Sequence, residues 1–201
     1  MNMTMKNSSI KISNVAKIPT ELGNFHACCI HELDTDKEHL LLYKGQLTRA
    51  KNLLFRIHSE CMTSEVFGSL KCDCKDQLKI AMQRIFDQGE GAVLYLRQEG
   101  RGIGLFNKIE AYSLQDAGFN TIDANLELGL GVDNREYGIT AQVLKHFDVE
   151  SIRLMTNNPL KIQAMETLGI NVQEQLKVHA GVNQHNQDYL DTKRELMNHA
   201  I

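Results

Sequence analysis

Apolar and polar positions change rhythm about a third of the way along the chain. In the first third, short β-compatible apolar runs at 10–16, 25–30, 40–43 and 52–57 alternate with polar stretches. Pro19 and Gly23 mark a turn between the first two runs. Beyond that point the period lengthens. Leu78, Ala81, Met82, Ile85 and Phe86 share one face of a helix predicted over 75–88, with Gly89 as its stop. The apolar run 92–96 reads as a buried strand, and a helix follows over about 105–117, ended by Gly118. Further helices are predicted over 135–147 and from Pro159 to residue 168, and a terminal one over 188–199. Strands are predicted at 151–155 and 170–178. The pattern is a β-rich N-terminal part followed by β-α-β-α-β alternation. It predicts an α/β fold, a mixed sheet flanked by helices, in one domain spanning residues 1–201.

In such sheets ligands gather beyond the carboxyl ends of the strands. Three polar segments occupy those places. Arg56-Ile57-His58-Ser59-Glu60 ends one strand, Arg97-Gln98-Glu99-Gly100-Arg101-Gly102-Ile103-Gly104 follows the next, and Thr156-Asn157-Asn158-Pro159-Leu160-Lys161 follows a third. Their coincidence predicts one shared site. The glycine-rich segment suits close backbone approach to an anion, but its spacing is neither the dinucleotide fingerprint nor a Walker loop. In the third segment a small polar residue caps a helix with Pro159 in its first turn. Lys161 in that turn opposes the dipole preference and points to an anion there. Asp133, ahead of a helical stretch, reads by itself as an N-cap.

Composition narrows the chemistry. The chain has 42% hydrophobic and 23% charged residues, a globular balance that excludes a disordered chain. Its 22 basic and 25 acidic residues leave a net charge of −3, which disfavours general nucleic-acid binding. No apolar run approaches a membrane span, and the N-terminus has no signal-peptide core, so a cytoplasmic protein is expected. The five cysteines, Cys28, Cys29, Cys61, Cys72 and Cys74, then speak for metal ligation rather than disulfides. Three thiolates at Cys61, Cys72 and Cys74 suit Zn²⁺ and leave a fourth position for water, the catalytic arrangement. His58 as a fourth ligand would instead make the site structural, and buried inert thiols are the plainer alternative.

Taken together, these segments resemble GTP cyclohydrolase II. The resemblance runs from about Ala16 to Lys193. It rests on Arg56-Ile57-His58-Ser59-Glu60-Cys61, Cys72-Asp73-Cys74, the segment from Arg97 to Leu105, Asn107-Lys108-Ile109, Asp133-x-Arg135-x-Tyr137 and Thr156-Asn157-Asn158-Pro159-x-Lys161, in order. It implies hydrolysis of GTP to formate, pyrophosphate and 2,5-diamino-6-(5-phospho-ribosylamino)pyrimidin-4(3H)-one, the opening step of riboflavin biosynthesis. It implies one Zn²⁺ on Cys61, Cys72 and Cys74, Mg²⁺ with the triphosphate, and a homodimer. By motif position, Arg56, Ile57, His58, Ser59, Glu60, Gln77, Glu99, Gly100, Arg101, Thr121, Thr156 and Lys161 bind the nucleotide. Asp133 is the implied proton acceptor, Arg135 the implied nucleophile and Tyr112 a neighbour of the attacked carbon. An arginine stays protonated, so stabilisation of phosphoryl charge is the chemically simpler role for Arg135. A carboxylate, Glu99 or Glu60, is expected to read the N1–H and 2-amino edge of guanine.

Lys75, Asn120, Leu160 and Asn198 depart from the family pattern without removing a proposed catalytic group. The length implies a monofunctional enzyme without a fused synthase domain. The alternatives are a related imidazole-opening hydrolase that retains pyrophosphate, or a non-enzymatic nucleotide-binding zinc protein.

Overall fold

The computed structural model describes residues 9–131 and 133–196. Its strands are β1 (Ile10–Ile12), β2 (Ala16–Thr20), β3 (Gly23–Glu32), β4 (Lys37–Lys44), β5 (Leu53–Ser59), β6 (Gly91–Leu96), β7 (Ile152–Met155) and β8 (Val172–Leu176). Its helices are α1 (Met62–Glu65), α2 (Cys74–Gln88), α3 (Gly104–Asp116), α4 (Thr121–Glu127), α5 (Gly138–His146), α6 (Pro159–Thr167) and α7 (Gln187–Leu196), with a 3₁₀ turn at Glu99–Gly102. One eight-stranded mixed sheet runs in the order β1-β3-β4-β6-β5-β7-β8, with β2 also paired to β3. The β3–β4 and β4–β6 pairs are antiparallel; β6, β5, β7 and β8 are parallel. The expected α/β fold with a mixed sheet is therefore present, its parallel half built by the alternating part of the chain.

Period-two packing explains the two layers. Leu53, Phe55 and Ile57 of β5 and Ala92, Leu94 and Leu96 of β6 face one core, closed by Val143 and Leu144 of α5 and Met165 of α6. Leu54 and Val93 face the other side, against Ala81 and Ile85 of α2. Strands covered on both faces must be apolar at nearly every position, which is why β5 and β6 read as continuous runs. Burying each large side chain here contributes about 1.5–3 kcal/mol. The polar exceptions, Arg56 and His58, lie on the α2 side at the carboxyl end of β5.

Several element boundaries differ from the sequence pattern. The run 10–16 breaks into β1 and β2 because Ser13 interrupts the ladder, its hydroxyl accepting from the Cys29 N–H at 2.9 Å. Pro19 lies inside β2, not in the turn; β2 pairs only with β3, and such an edge position tolerates a missing donor. The predicted helix over 135–147 begins only at Gly138. The short helices α1 and α4 carried no long apolar period to announce them. The terminal helix is described to Leu196, and the rest of its predicted span, 197–199, lies outside the described residues.

Candidate active site

The carboxyl ends of β5, β6 and β7 lie side by side, because β5 pairs in parallel with both of its neighbours. The three polar segments therefore meet in one cavity, as their order in the sequence predicted. Arg56, His58, Ser59, Glu60, Cys61, Cys72, Cys74, Gln77, Glu99, Gly100, Arg101, Tyr112, Arg135, Thr156 and Lys161 all line it.

Sulfur forms one wall. Cys61 follows β5, Cys72 lies in the loop after α1, and Cys74 opens α2. Their three Sγ atoms lie within 4.8 Å of one another, and Cys61 and Cys72 are 3.6 Å apart. Hydrogen bonds from Cys72 and Cys74 hold the Cys61 thiol far below the ordinary range against burial, and the Lys108 ammonium, 3.2 Å from its sulfur, adds to this. The same sharing pushes the Cys72 and Cys74 thiols up. Three converging sulfur donors, with Cys61 held as the thiolate, match a zinc-type ion. His58 does not join them: its Nε2 meets Glu65 Oε1 at 2.6 Å and its ring stacks on Tyr95. Burial holds the His58 imidazole below its ordinary range.

Cations form the opposite feature. Arg56 donates to the Met155 carbonyl at 2.9 Å and to Gln77, which in turn donates to Asp73. Burial draws the Arg56 guanidinium down to about 10. Lys161, in the first turn of α6, donates to the Ile57 carbonyl at 2.8 Å. Burial, then the charges of Arg56 and Arg135, hold its amine well below the ordinary lysine range. Asn158 Oδ1 caps this helix by accepting from the Leu160 N–H at 2.9 Å. Arg56, Arg135 and Lys161 together line the cavity as a cationic group suited to an anion.

Asp133 is not an N-cap. It accepts the Arg135 side chain in a two-point fork and the Arg135 N–H at 3.2 Å, while Tyr137 precedes α5. Burial opposes ionisation of Asp133, yet the Arg135 contacts keep its carboxyl below the usual range. Burial is likewise outweighed at Arg135, whose guanidinium is held above its ordinary value by Asp133. This segment docks on the glycine-rich loop, where the Asn134 N–H donates to the Arg101 carbonyl at 3.0 Å. A Cβ on Gly102 would sit 2.8 Å from the Asn134 carbonyl oxygen, so that approach requires glycine. Arg101 itself adopts a left-handed backbone, with φ 61°, and its guanidinium lies 5.6 Å from the Tyr189 ring centre. His39 of β4 anchors the start of the loop by accepting the Arg97 N–H at Nδ1, 3.0 Å away.

Neither expected guanine-reading carboxylate is idle. Glu99 accepts Lys108 Nζ and the Met62 N–H, both at 2.7 Å. Glu60 accepts Arg97 Nε at 2.9 Å. Burial pushes Tyr112 up to about 12, and Lys71 and Lys108 lie over its ring. Ile57 points its side chain into the core and offers the site only its carbonyl. Asp133 reaches the cavity through Arg135, and the Thr121 side chain lies outside the described residues.

Sequence reasoning gave no role to other residues of the wall. Lys108, Ala111 and Gln115 line it beside Tyr112. Their spacing of three and four along α3 was a readable signal. Asn157 and Asn158 were inside a recognised segment. Tyr189 lay in a tail segment, Asn186-x-x-Tyr189-Leu190-x-x-Lys193, that also fits the family pattern, but Asn125 carried no such signal, since α4 is short.

A family model described as GTP cyclohydrolase II matches residues 11–177. Proteins named GTP cyclohydrolase-2 are similar over nearly the whole chain. That of Colwellia psychrerythraea is 48% identical, over 96% of this chain and 95% of its own. That of Histophilus somni is 46% identical, over 96% and 90%. That of Shewanella frigidimarina is 48% identical, over 96% of each. Among solved structures, a two-domain 3,4-dihydroxy-2-butanone 4-phosphate synthase from A. baumannii superposes with a TM-score of 0.49 at 18% identity, over 88% of this chain and 42% of that one.

Proposed function

Since the chain belongs to the GTP cyclohydrolase II family, and so is an enzyme of the riboflavin pathway's GTP hydrolysis, we propose that its cavity opens the guanine imidazole ring of GTP. The products are formate, pyrophosphate and 2,5-diamino-6-(5-phospho-ribosylamino)pyrimidin-4(3H)-one. The reading is carried by one juxtaposition: a three-sulfur cluster and a group of buried cations share a single cavity.

Cys61, Cys72 and Cys74 are the residues that hold one Zn²⁺ per subunit, and when bound it supplies Lewis-acid activation for attack on the ring carbon. Arg56, Arg101, Arg135 and Lys161 bind the triphosphate, which brings Mg²⁺ with it as part of the substrate. Gln77 orients Arg56 by accepting from its guanidinium. Thr156 Oγ1 accepts the Asn158 N–H at 3.1 Å and so shapes the turn that presents Lys161. Tyr112 Oη, kept protonated by burial, donates to a ring nitrogen as the ring opens. Arg135 remains charged beside Asp133 and stabilises negative charge at the phosphoryl group that releases pyrophosphate; an arginine held this firmly protonated is a poor nucleophile. Asp133 fixes that guanidinium by accepting from it with both carboxylate oxygens. Ser59, Glu60, Glu99, Gly100 and the Ile57 carbonyl form the surrounding wall. His58 supports that wall from below through Glu65.

The assembly we propose is a cytoplasmic homodimer of single-domain subunits. No helix among the described residues is long and apolar enough to cross a membrane. The open apolar residues of α3 support self-association: Phe106 is 77% exposed, beside exposed Leu105 and Ile109.

Purified protein incubated with GTP, Mg²⁺ and stoichiometric Zn²⁺ tests the reading. Formate and pyrophosphate are expected together, with the mass of the diaminopyrimidine product. Cys72→Ser is expected to lose formate release and the bound zinc measured by metal analysis. Formate without pyrophosphate identifies the truncated reaction instead. Neither product from folded, zinc-loaded protein defeats the enzymatic assignment.

A further inference from the structure

Asn125 is a buried amide of the cavity wall. It lies in α4, which packs against α3, and is only 4% exposed. Its neighbour Ala124 is fully buried. Asparagine is a poor residue for a helix interior. Yet its side chain makes no hydrogen bond among the described residues, while it lines the cavity with Ala111, Tyr112 and Gln115 of α3. Asn158, another buried amide of the wall, caps α6 with its oxygen and leaves its Nδ2 without a partner among the described residues.

The cavity is chemically divided. Arg56, Arg135 and Lys161 line it together and offer the cations a triphosphate needs. The α3 and α4 wall offers an aromatic ring, an alanine methyl and two amides, surfaces suited to a planar heterocycle with polar edges. Glu99 and Glu60, the carboxylates with the right chemistry for guanine's donors, are already engaged by Lys108 and Arg97. The carboxamide is left with an acceptor and two donors to satisfy.

We propose that Asn125 determines base specificity, its Oδ1 accepting a hydrogen bond from the exocyclic 2-amino group of guanine. This rests on the GTP reading and names the residue that separates guanine from purines lacking that group. Guanine then gives this amide a partner that a purine without the 2-amino group does not offer.

The test compares GTP with ITP, which lacks the 2-amino group. Asn125→Leu keeps the branched shape and removes the hydrogen bond; Asn125→Ala covers the case in which leucine prevents folding. Loss of one such bond is expected to lower kcat/KM for GTP by about tenfold, chiefly through KM. ITP is expected to stay within about twofold, as is inhibition by tripolyphosphate, which has no base. Equal losses for GTP and ITP, a rise in the tripolyphosphate inhibition constant in step with KM, or unchanged GTP kinetics in a folded variant each overturn the proposal. Direct titration with both nucleotides repeats the comparison without turnover. A wild-type protein that binds GTP but releases no formate therefore defeats the hydrolytic reading and leaves Asn125 judged on affinities.

Discussion

Lys161 shows how a single side chain carries a titration signature. In the ligand-free protein, burial and two neighbouring guanidinium groups hold its amine well below 10.5. Between the folded amine's lowered value and 10.5 the unfolded chain therefore binds more protons than the folded one, and stability rises with pH across that window. A polyphosphate reverses the local field and favours the ammonium. Binding at about pH 9, above the titration of phosphate oxygens and below that of free lysine, is expected to take up a proton. Calorimetry in two buffers of different ionisation enthalpy reads this directly. Lys161→Met is expected to abolish the uptake, weaken GTP binding and flatten the alkaline rise in stability. Equal uptake in wild type and variant would refute the assignment. The sequence signalled this residue because a cation in a helix's first turn is out of place.

At the scale of elements, the C-terminal segment depends on one amide. Asn157 donates from Nδ2 to the Val178 carbonyl at 2.7 Å and accepts the Val178 N–H at 2.8 Å. Val178 is fully buried, so removing the carboxamide strands two backbone groups. Asn157→Ala is expected to destabilise the protein by about 2–4 kcal/mol, lowering Tm by roughly 5–12 °C. Proteolysis between 179 and 186 should quicken, and the position of Tyr189 over Arg101 should loosen. A melting curve superimposable on wild type would show the clamp to be dispensable. The amide stood inside a recognised motif, but its partner lay 21 residues away. Composition offers no means of pairing them.

At the scale of the whole molecule, the sheet gathers the chemistry on one side of the parallel half and leaves α3 with an uncovered apolar face. Phe106→Asp places a charge in the proposed subunit contact. The variant is expected to sediment as a monomer while keeping its far-UV circular dichroism. A dimer of unchanged stability would assign the contact to another surface. The same α3 presents Lys108 and Tyr112 to the site, so separation of subunits is also expected to lower turnover.

The sequence by itself determined the alternation that makes the α/β sheet, the strand ends where ligands collect, and the residue types of the site: three cysteines, the arginines and Lys161. These are local properties, written in periodicity and in segments of a few residues whose chemistry does not depend on distant partners. Only the tertiary structure decided which groups are already spent. It tied His58 to Glu65, Glu99 to Lys108, Glu60 to Arg97 and Asp133 to Arg135. It also brought Asn125 to the cavity from an element with no motif of its own, and Tyr189 from a tail distant in sequence. Hydrogen-bond satisfaction is a property of three-dimensional neighbours, and a carboxylate or amide looks the same in sequence whether it is paired or waiting for a ligand.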